Sequence, residues 1–587
     1  MMAKAKVRML LACFGLSVFF TIFSYRLIYL QVLKHDEYTA LAAEKHVKRT
    51  VTYSVRGEIR DVHSEVVAAN QPIKSVVADG TLITNPGALA DLLAAPLEMD
   101  RAKLLEMLSS GKPYVVIKKG LAESVANDLA DKMNGKALRG VYFEQDSSRI
   151  YPNGSMLCHV LGFVDHTHHG VRGIEKSMDD YLSGHDGFRY TERDRTGKEI
   201  EFYRGQERPA RAGCNVRLTV DMGLQNIVET ELGAAVKQFR PASAIVILMK
   251  PQTGEILALA NWPNYDLNSV GDYKEDDMKD RAIEDMVEPG SIFKIVTASA
   301  ALNERAVKMD TMIFCENGHF NFAGKVLKDH HGYGDLSVMD ILMKSSNIGA
   351  AKLAMLMGEQ KFYEYIRRFG FGERTGIALP GEINGLVHPP HLWSKISISR
   401  IPMGQGVGVT PLQTVAAMSA VANGGHLMMP QIVREITDEH NSVVASYPPV
   451  EIRQVMSAEV SKEMRDALKR VVSKEGTAVL AAVAGFTVAG KTGTAQIPIP
   501  GGAGYYDNKY VASFEGFMPA DNPAFVALVM INDPKTGPEQ YYGGLVAAPV
   551  FSRIAEKAAR YLNLEPHPED TLGNKMIYTN ATTNVRD

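Results

Sequence analysis

The chain has 587 residues, of which 45% are hydrophobic and 22% charged, a composition that is ordinary for a globular protein of about three or four domain-sized units. The formal net charge of −3 gives no argument for nucleic-acid binding. The four cysteines form no CxxC pair of the kind found in zinc knuckles or redox sites, although one disulfide among Cys158, Cys214 and Cys315 stays open.

The N-terminal stretch from Met9 to Leu33 is mostly apolar, with Arg26 as its one charged residue, and exceeds the roughly 20 residues that cross a bilayer. Basic residues at positions 4, 6 and 8 precede it, and such residues stay on the cytoplasmic side. We therefore expect a cytoplasmic tail over 1–8 and a transmembrane anchor over 9–33. Two processing signals fit less well. Ala40-Leu41-Ala42 lies too far from the apolar core for signal cleavage, and the apolar region follows Cys13, whereas in a lipoprotein signal it precedes the cysteine.

Residues 34–215 show mixed strand and helix patterns and no catalytic constellation. Val51 to Asn70 predicts strands around a turn, and the helical patterns are Ala88–Ala94, Arg101–Leu108 and Leu121–Met133. The three histidines His166, His168 and His169 fit either a metal site or an exposed polar loop, and we favour the loop.

Residues 216–562 have the patterns of a second, larger domain. Ala242–Met249 predicts a buried strand, and a turn at Pro251–Gly254 leads to a returning strand over Glu255–Ala260, which together make an antiparallel hairpin. Further predicted elements are a helix from about Gln225, strands at Phe486–Ala489, Phe514–Phe517 and Ala524–Ile531, and a closing helix at Pro549–Leu562. The tail over 563–587 has no pattern and is expected to be mobile.

The first candidate for chemistry is Ser291 with Lys294. Pro289 and Gly290 are turn residues, and the apolar run behind them predicts a buried helix that begins near Ser291. Residues three apart share a helix face, so the Lys294 amine can lie beside the Ser291 hydroxyl. Burial and the helix dipole both disfavour the ammonium form, and a neutral lysine can take the serine proton. Taken alone, the motif is more typical of a helix cap with a solvated lysine.

Two further polar stretches follow in the same domain. Ser337 opens a helix with a capping-box signature, and Ser345 and Asn347 then stand where this helix meets the next one, which Gly358 ends. A hydroxyl and an amide there can relay a proton and hold a peptide carbonyl. The alternative is a polar break between helices.

The last stretch is Lys491-Thr492-Gly493-Thr494, after the strand-like run at Phe486–Ala489. Lys491 and Thr492 suit a substrate carboxylate. Gly493 leaves room for a peptide backbone lying along the strand. An ordinary glycine-bounded turn is the alternative.

The order S-x-x-K, S-x-N and K-T-G within one domain is the signature of penicillin-binding proteins and class A β-lactamases. The whole chain, from the apolar segment to about Leu562, resembles the class B penicillin-binding proteins, and its Ser345-Ser346-Asn347 is similar to their cell-division branch. Further stretches that resemble the family are Arg56–Asp61, Arg149–Gly154, Gly173–Glu175, Thr253–Ala258, Gly404–Gly406, Thr410–Gln413 and Tyr542–Gly544. Two stretches depart from it, since Asp280-Arg281 stands where the family has Asn-Arg and Val62-His63-Ser64 where it has Arg-x-Gly. For Gly404–Gly406 we expect a chain turn more than a wall of the site.

The resemblance implies an α+β fold. A single N-terminal transmembrane helix is followed by an elongated mixed α/β pedestal of the dimerisation type over 34–215. A β-lactamase-like transpeptidase domain with an antiparallel sheet flanked by helices then occupies 216–562. It also implies residence in the bacterial inner membrane, with the catalytic domain on the periplasmic side.

The resemblance further implies acyl transfer between peptidoglycan stem peptides. Ser291 would attack a donor D-Ala-D-Ala peptide with Lys294 as base, Ser345 would pass a proton to the leaving D-Ala, and Asn347 would hold the donor backbone. Lys491, Thr492 and Thr494 would bind the terminal carboxylate, with backbone N–H groups of Ser291 and Thr494 as the oxyanion hole. For the Thr494 side chain, shaping the strand is the alternative.

The implied partners are stem peptides, β-lactam antibiotics, an FtsW-type glycosyltransferase and other divisome membrane proteins. No metal or cofactor is expected, since no zinc, nucleotide or flavin motif occurs. The competing functions are an elongation-type transpeptidase, a D,D-carboxypeptidase, a β-lactam hydrolase or sensor, and a non-catalytic division scaffold. A class A hydrolase would need a glutamate for deacylation, and no E-x-x-x-N pattern occurs between Asn347 and Gly404.

Overall fold

The computed structural model describes residues 2–38, 47–136, 138–193, 199–200, 207–499, 501–502, 504–537 and 540–566. The longer helices are α1 Met2–Ile28, α2 Pro86–Leu93, α3 Arg101–Leu108, α4 Glu123–Gly135, α5 Met222–Phe239, α6 Lys294–Asn303, α7 Val338–Lys344, α8 Asn347–Met357, α9 Glu359–Arg368, α10 Pro411–Ala422, α11 Ala458–Val471 and α12 Ala548–Tyr561. The strands are β1 Val47–Thr52, β2 Ile59–Arg60, β3 Val66–Ala78, β4 Val115–Leu121, β5 Val141–Ile150, β6 Gly187–Arg193, β7 Glu199–Ile200, β8 Glu207–Arg208, β9 Asn215–Leu218, β10 Ser243–Met249, β11 Ile256–Trp262, β12 Met312–Phe314, β13 His319–Phe322, β14 Lys325–Lys328, β15 Asp335–Ser337, β16 His426–Met428, β17 Val433–Thr437, β18 Val443–Ser446, β19 Glu451–Gln454, β20 Ala489–Pro498, β21 Tyr505–Met518 and β22 Phe525–Asn532. Of the tail predicted over 563–587, residues 567–587 lie outside the described residues.

The chain divides into two compact units, of which the first comprises residues 1–55 and 184–213. In this unit α1 continues through a π-helical turn at Tyr29–Leu33. The joined segment Met2–Leu33 contains an 18-residue stretch with a mean hydropathy of 1.9 and is, by length and composition, able to cross a membrane. The predicted apolar span is therefore confirmed, and its orientation stays a prediction. Strand β6 of the same unit pairs antiparallel with β1, β7 and β8.

The second unit comprises residues 56–183 and 214–587 and contains two large sheets. A seven-stranded sheet has the order β18-β17-β9-β2-β3-β4, with β5 also on β3. The helices predicted before residue 134 are confirmed as α2, α3 and α4, which bury leucines against β3 and β4. Strand β9 contains residues 215 and 216, where the predicted pedestal ends and the transpeptidase domain begins. That boundary stays a prediction.

A buried ion network joins the segments that resemble the family's pedestal motifs. Arg56 and Arg149 both donate to the carboxylate of Glu175, at 2.6 and 2.7 Å, and Arg56 also reaches Asp179 at 2.6 Å. Glu175 is fully buried. A buried charge that loses its partner is strongly destabilising, so these three stretches are held in one fixed arrangement.

The five-stranded sheet has the order β11-β10-β22-β21-β20 and is antiparallel throughout. The predicted hairpin is confirmed as β10 and β11, and the predicted closing helix as α12. Phe514 of β21 packs against Phe551 of α12, with ring centroids 4.8 Å apart. Helices α10 and α11 pack against the sheet as well. All four cysteines are free, so none of the disulfides left open above is formed.

Candidate active site

Ser291 lies in a 3-10 turn, Gly290–Phe293, that leads directly into α6. The α-helix therefore begins at Lys294, three residues after the start near Ser291 that the motif predicts. Gly290 has φ +57°, and a Cβ there would lie 3.2 Å from Thr494 O. On the other side, a Cβ on Gly404 would lie 2.2 Å from Gly290 O. The nucleophile turn is thus held between β20 and Gly404–Gly406, which turns the chain as expected.

The Lys294 amine is the centre of the site. Its Nζ lies 3.1 Å from Ser291 Oγ, 3.1 Å from Ser345 Oγ, 2.5 Å from Ser345 O and 2.8 Å from Asn347 Oδ1. The side chain is only 1% exposed. The structure therefore brings together the four side chains that the sequence proposed as catalytic.

The hydrogen-bond partners of Lys294 fit a neutral amine. Ser345 O and Asn347 Oδ1 can only accept, so they use both N–H groups of a neutral amine. Asn347 Nδ2 donates to Lys328 O at 3.0 Å, which fixes Oδ1 towards the lysine. The lone pair then remains for a hydroxyl proton, from Ser291 or Ser345. Burial lowers the pKa of Lys294 to about 7, against the opposing effect of Asp329.

Ser345 and Asn347 are positioned by the junction of α7 and α8. Ser337 accepts from Asp340 N and caps α7, as its motif predicts. Ser345 ends that helix with φ +59°, the left-handed conformation that turns the chain into α8. The junction is a polar break between helices, and its residues Ser345 and Asn347 both contact Lys294.

Asp329 holds this junction, and the sequence motifs did not indicate it. Its Oδ1 accepts the backbone N–H groups of Asn347 and Ile348 at 2.5 and 3.1 Å, and its Oδ2 accepts from Ser346 Oγ at 2.6 Å. A carboxylate at the start of α8 is also stabilised by the positive end of the helix dipole. At this place the sequence shows a lone aspartate before two histidines in a loop. Such a stretch has no pattern that predicts a site residue.

Lys491 forms the other side of the site. The strand predicted at Phe486–Ala489 instead begins at Ala489 and runs through the whole K-T-G-T stretch to Pro498. Lys491 is fully buried, and its Nζ donates to Ser345 Oγ at 2.9 Å and Thr492 O at 3.3 Å. Burial, followed by the nearby charge of Lys294, lowers the pKa of Lys491 well below its ordinary value. Two amines therefore meet at one serine hydroxyl.

Gly493 and Thr494 fit closely against protein groups. A Cβ on Gly493 would lie 2.3 Å from Ser513 Oγ and 3.1 Å from Ile292 Cγ1, so the missing side chain lets β20 approach both the neighbouring strand and the nucleophile turn. Thr494 Oγ1 accepts the N–H of Gly543 at 3.1 Å. The Thr494 hydroxyl still has a proton to donate, so shaping the strand does not exclude ligand contact.

Aromatic rings stand on both sides of the cleft. His330 follows Asp329, and its ring makes an edge contact with Tyr542 at 5.5 Å between centroids. Tyr542 precedes Gly543, which is fastened to Thr494. This contact joins the α7–α8 side to the β20 side. Tyr542 belongs to a stretch that resembles the family, whereas no sequence motif indicated His330.

Asp280, where the family usually has asparagine, is buried ahead of the nucleophile. Asn261 Nδ2 donates to its Oδ1 at 3.0 Å, while Asp280 Oδ2 and Asn261 Oδ1 have no hydrogen-bond partner among the described residues. Burial raises the pKa of Asp280 to about 7. A proton on Asp280 Oδ2 would give this carboxyl group one donor and one acceptor oxygen. It would then pair with the Asn261 amide as a second side-chain amide does.

A buried serine–lysine pair, a second serine bound to both lysines, and an edge strand beside the nucleophile define a serine enzyme that works through an acyl intermediate. Residues 244–556 match the family model of the penicillin-binding protein transpeptidase domain, and residues 51–218 match that of the penicillin-binding protein dimerisation domain. The chain belongs to the class B penicillin-binding proteins.

Individual relatives agree with this assignment. Stage V sporulation protein D of Bacillus subtilis is 35% identical over 560 residues, which cover 94% of this chain and 85% of the relative. Peptidoglycan D,D-transpeptidase FtsI of Escherichia coli K12 is 32% identical over 554 residues, covering 92% of this chain and 89% of the relative. Among solved structures, penicillin-binding protein 3 of Mycobacterium tuberculosis in complex with aztreonam is 27% identical. Its TM-score is 0.69, and the match covers 88% of this chain and 98% of that chain.

Proposed function

We propose that this chain is a serine-type peptidoglycan D,D-transpeptidase that crosslinks stem peptides during septal cell-wall synthesis and is inhibited by β-lactams. The observation that carries the proposal is the Lys294 amine, which lies 3.1 Å from Ser291 Oγ and 3.1 Å from Ser345 Oγ in a buried site. Family membership and relatives named peptidoglycan D,D-transpeptidase support the same reaction.

In the first half of the reaction, Ser291 Oγ attacks the carbonyl of the penultimate D-Ala of a donor peptide, and its proton passes to Lys294. Backbone N–H groups of Ser291 and Thr494 stabilise the oxyanion. The C–N bond then breaks, and the leaving D-Ala takes a proton through Ser345, which contacts both lysines. Lys491, Thr492 and Thr494 hold the terminal carboxylate, and Asn347 holds the donor backbone.

In the second half, an amine of a neighbouring strand attacks the Ser291 ester. The amine loses a proton to Lys294, an amide bond forms, and the serine oxygen leaves and recovers its proton. Water in place of the amine would give carboxypeptidase activity. The test is to incubate the protein with a donor ending in D-Ala-D-Ala and an acceptor amine. Crosslinked product with the wild type and none with Ser291→Ala is expected, and D-Ala release without crosslinks would identify a carboxypeptidase.

Asn347 supports the division role, since the elongation branch commonly has aspartate at that position. The relative named for sporulation favours crosslinking during spore formation as a second candidate. Depleting the protein in the bacterium that makes it distinguishes these roles. Filaments with blocked septa are expected for division, rounded cells for elongation, and normal growth with failed spores for sporulation.

The cellular setting is part of the proposal. Met2–Leu33 anchors the protein in the cytoplasmic membrane with its N-terminus inside, because basic residues precede the apolar part. The anchor and the pedestal contact an FtsW-type glycosyltransferase and other divisome membrane proteins. Deleting residues 1–33 should leave acylation of Ser291 intact and abolish function in the cell. Normal division with the truncated protein would contradict this placement.

A further inference from the structure

Glu515 is a buried carboxyl group for which the reaction described above has no use. Its side chain is fully buried on β21, and neither carboxylate oxygen has a hydrogen-bond partner among the described residues. Thr414 of α10 lies beside it, but the Thr414 hydroxyl donates to Pro411 O at 2.8 Å. A buried carboxyl left without partners costs free energy, so its position calls for a reason.

The strand register places Glu515 beside Lys491. The two residues are directly paired between β21 and β20, and directly paired residues of an antiparallel ladder have their side chains on the same face. Phe514, the preceding residue, packs on Phe551 of α12 on the opposite face. Since neighbouring side chains alternate along a strand, Glu515 and Lys491 share the face that contacts α10.

Few other ionisable groups are present on that face. Helix α10 and strand β22, whose Leu528 pairs with Glu515, have no ionisable residue, and α6 has only Lys294. The charged residues of α11 are not among its buried residues. Asp329 and His330 act from the rim, through Lys294 and Lys491. Among the described residues of these elements, the compartment under the sheet therefore holds two amines and one carboxyl group.

The hydrogen bonds of the two amines differ. Lys294 meets two pure acceptors and two hydroxyls, which suits a neutral base. Lys491 Nζ donates towards three oxygens, Ser345 Oγ at 2.9 Å, Thr492 O at 3.3 Å and Thr492 Oγ1 at 3.5 Å. Thr492 O is the one pure acceptor among them and the other two are hydroxyls, so these contacts fit the amine in either form. The proposed binding of the donor carboxylate is what requires Lys491 as an ammonium ion. An ammonium ion as deeply buried as Lys491 needs a compensating negative charge.

We propose that the carboxylate of Glu515 is the buried counter-charge that keeps Lys491 protonated, so that Lys491 binds the donor carboxylate while Lys294 stays neutral as the base. No described ion pair joins the two side chains within 4.0 Å, so Glu515 acts through space as a positioning residue. The inference rests on the proposed function and adds a residue to it.

Burial disfavours both charged forms, raising the pKa of Glu515 and lowering that of Lys491. In the proposal, the attraction between the carboxylate and the ammonium opposes this effect of burial. Without the carboxylate, Lys491 loses its proton more readily. Opposite unit charges on neighbouring side chains, at an effective dielectric of about 20, move a pKa by about one to two units. Loss of Glu515 should therefore lower the pH at which Lys491 stops binding carboxylates.

The test is the pH dependence of acylation by a fluorescent penicillin, which carries a carboxylate of its own, in the full-length protein. Glu515→Gln keeps the shape and removes the charge. Its alkaline limb should move to lower pH by about one to two units, while Glu515→Asp should keep the limb near the wild-type position. Phe514→Leu is the matched control, because it loosens the other face of the same strand and should lower stability without moving the limb.

An alkaline limb of Glu515→Gln that superimposes on the wild type, or moves no further than that of Phe514→Leu, would overturn the inference. If the glutamine variant does not fold, Glu515→Leu provides the same comparison with an apolar side chain. Failure of the proposed function looks different, since the wild-type protein itself would then form no covalent adduct at any pH.

Discussion

The acid limb of acylation should report the Lys294 amine. With its pKa lowered to about 7 by burial, about half of the amine is neutral at pH 7 and about one-tenth at pH 6. An ordinary lysine with a pKa of 10.5 would be neutral in only about three molecules in ten thousand at pH 7. The buried site thus increases the amount of active base about a thousandfold.

The assay is the second-order rate constant for covalent labelling by a fluorescent penicillin between pH 5.5 and 8. We expect the rate to rise about tenfold per pH unit below pH 6.5 and to level off above pH 7.5. Circular dichroism at each pH checks that the fold is retained. A rate that stays constant or falls over this range would refute the assignment of Lys294 as a base that works in its neutral form.

Three substitutions test other parts of the site. Asp280→Asn should stabilise the protein above pH 7 by up to about 4 kcal/mol and have little effect near pH 4. The reason is that burial raises the pKa of Asp280 to about 7, so the wild-type protein loses stability as pH rises from about 4 to 7. Thermal unfolding at both pH values measures this, and an equal gain at both would contradict it. Asp329→Asn should move the acid limb of labelling to lower pH, since the Asp329 charge raises the pKa of Lys294. Ser346→Ala keeps that charge and should leave the acid limb in place. Identical shifts in both variants would contradict a charge effect. Gly493→Ala should cut the labelling rate at least tenfold, because the added Cβ would lie 2.3 Å from Ser513 Oγ, and wild-type labelling by a folded variant would show that the strand adjusts.

Local sequence signals predicted the elements that carry the motifs. The turn at Pro289–Gly290, the cap at Ser337 and the stop at Gly358 each act within one helical turn, and the structure has them where the sequence places them. The hairpin β10–β11 was equally readable, because a continuous apolar run bounded by a turn is a local pattern.

Contacts between distant segments were not readable. Asp329 reaches Asn347 from 18 residues away, and Glu515 is placed opposite Lys491 only by the register of two strands. The fit of Gly493 against Ile292 likewise depends on how β20 packs on the nucleophile turn. Single residues such as these have no periodicity, so a sequence pattern cannot indicate them before the fold is known.

The central claim is that Ser291 is the acylated nucleophile, and the most direct test is to find the adduct. The full-length protein would be incubated with a fluorescent penicillin, denatured, digested and analysed by mass spectrometry, with Ser291→Ala as the control. We expect one labelled peptide, with the penicilloyl group on Ser291 in the wild type and no label in the variant. A label on another residue, or an equally labelled Ser291→Ala protein, would contradict the claim.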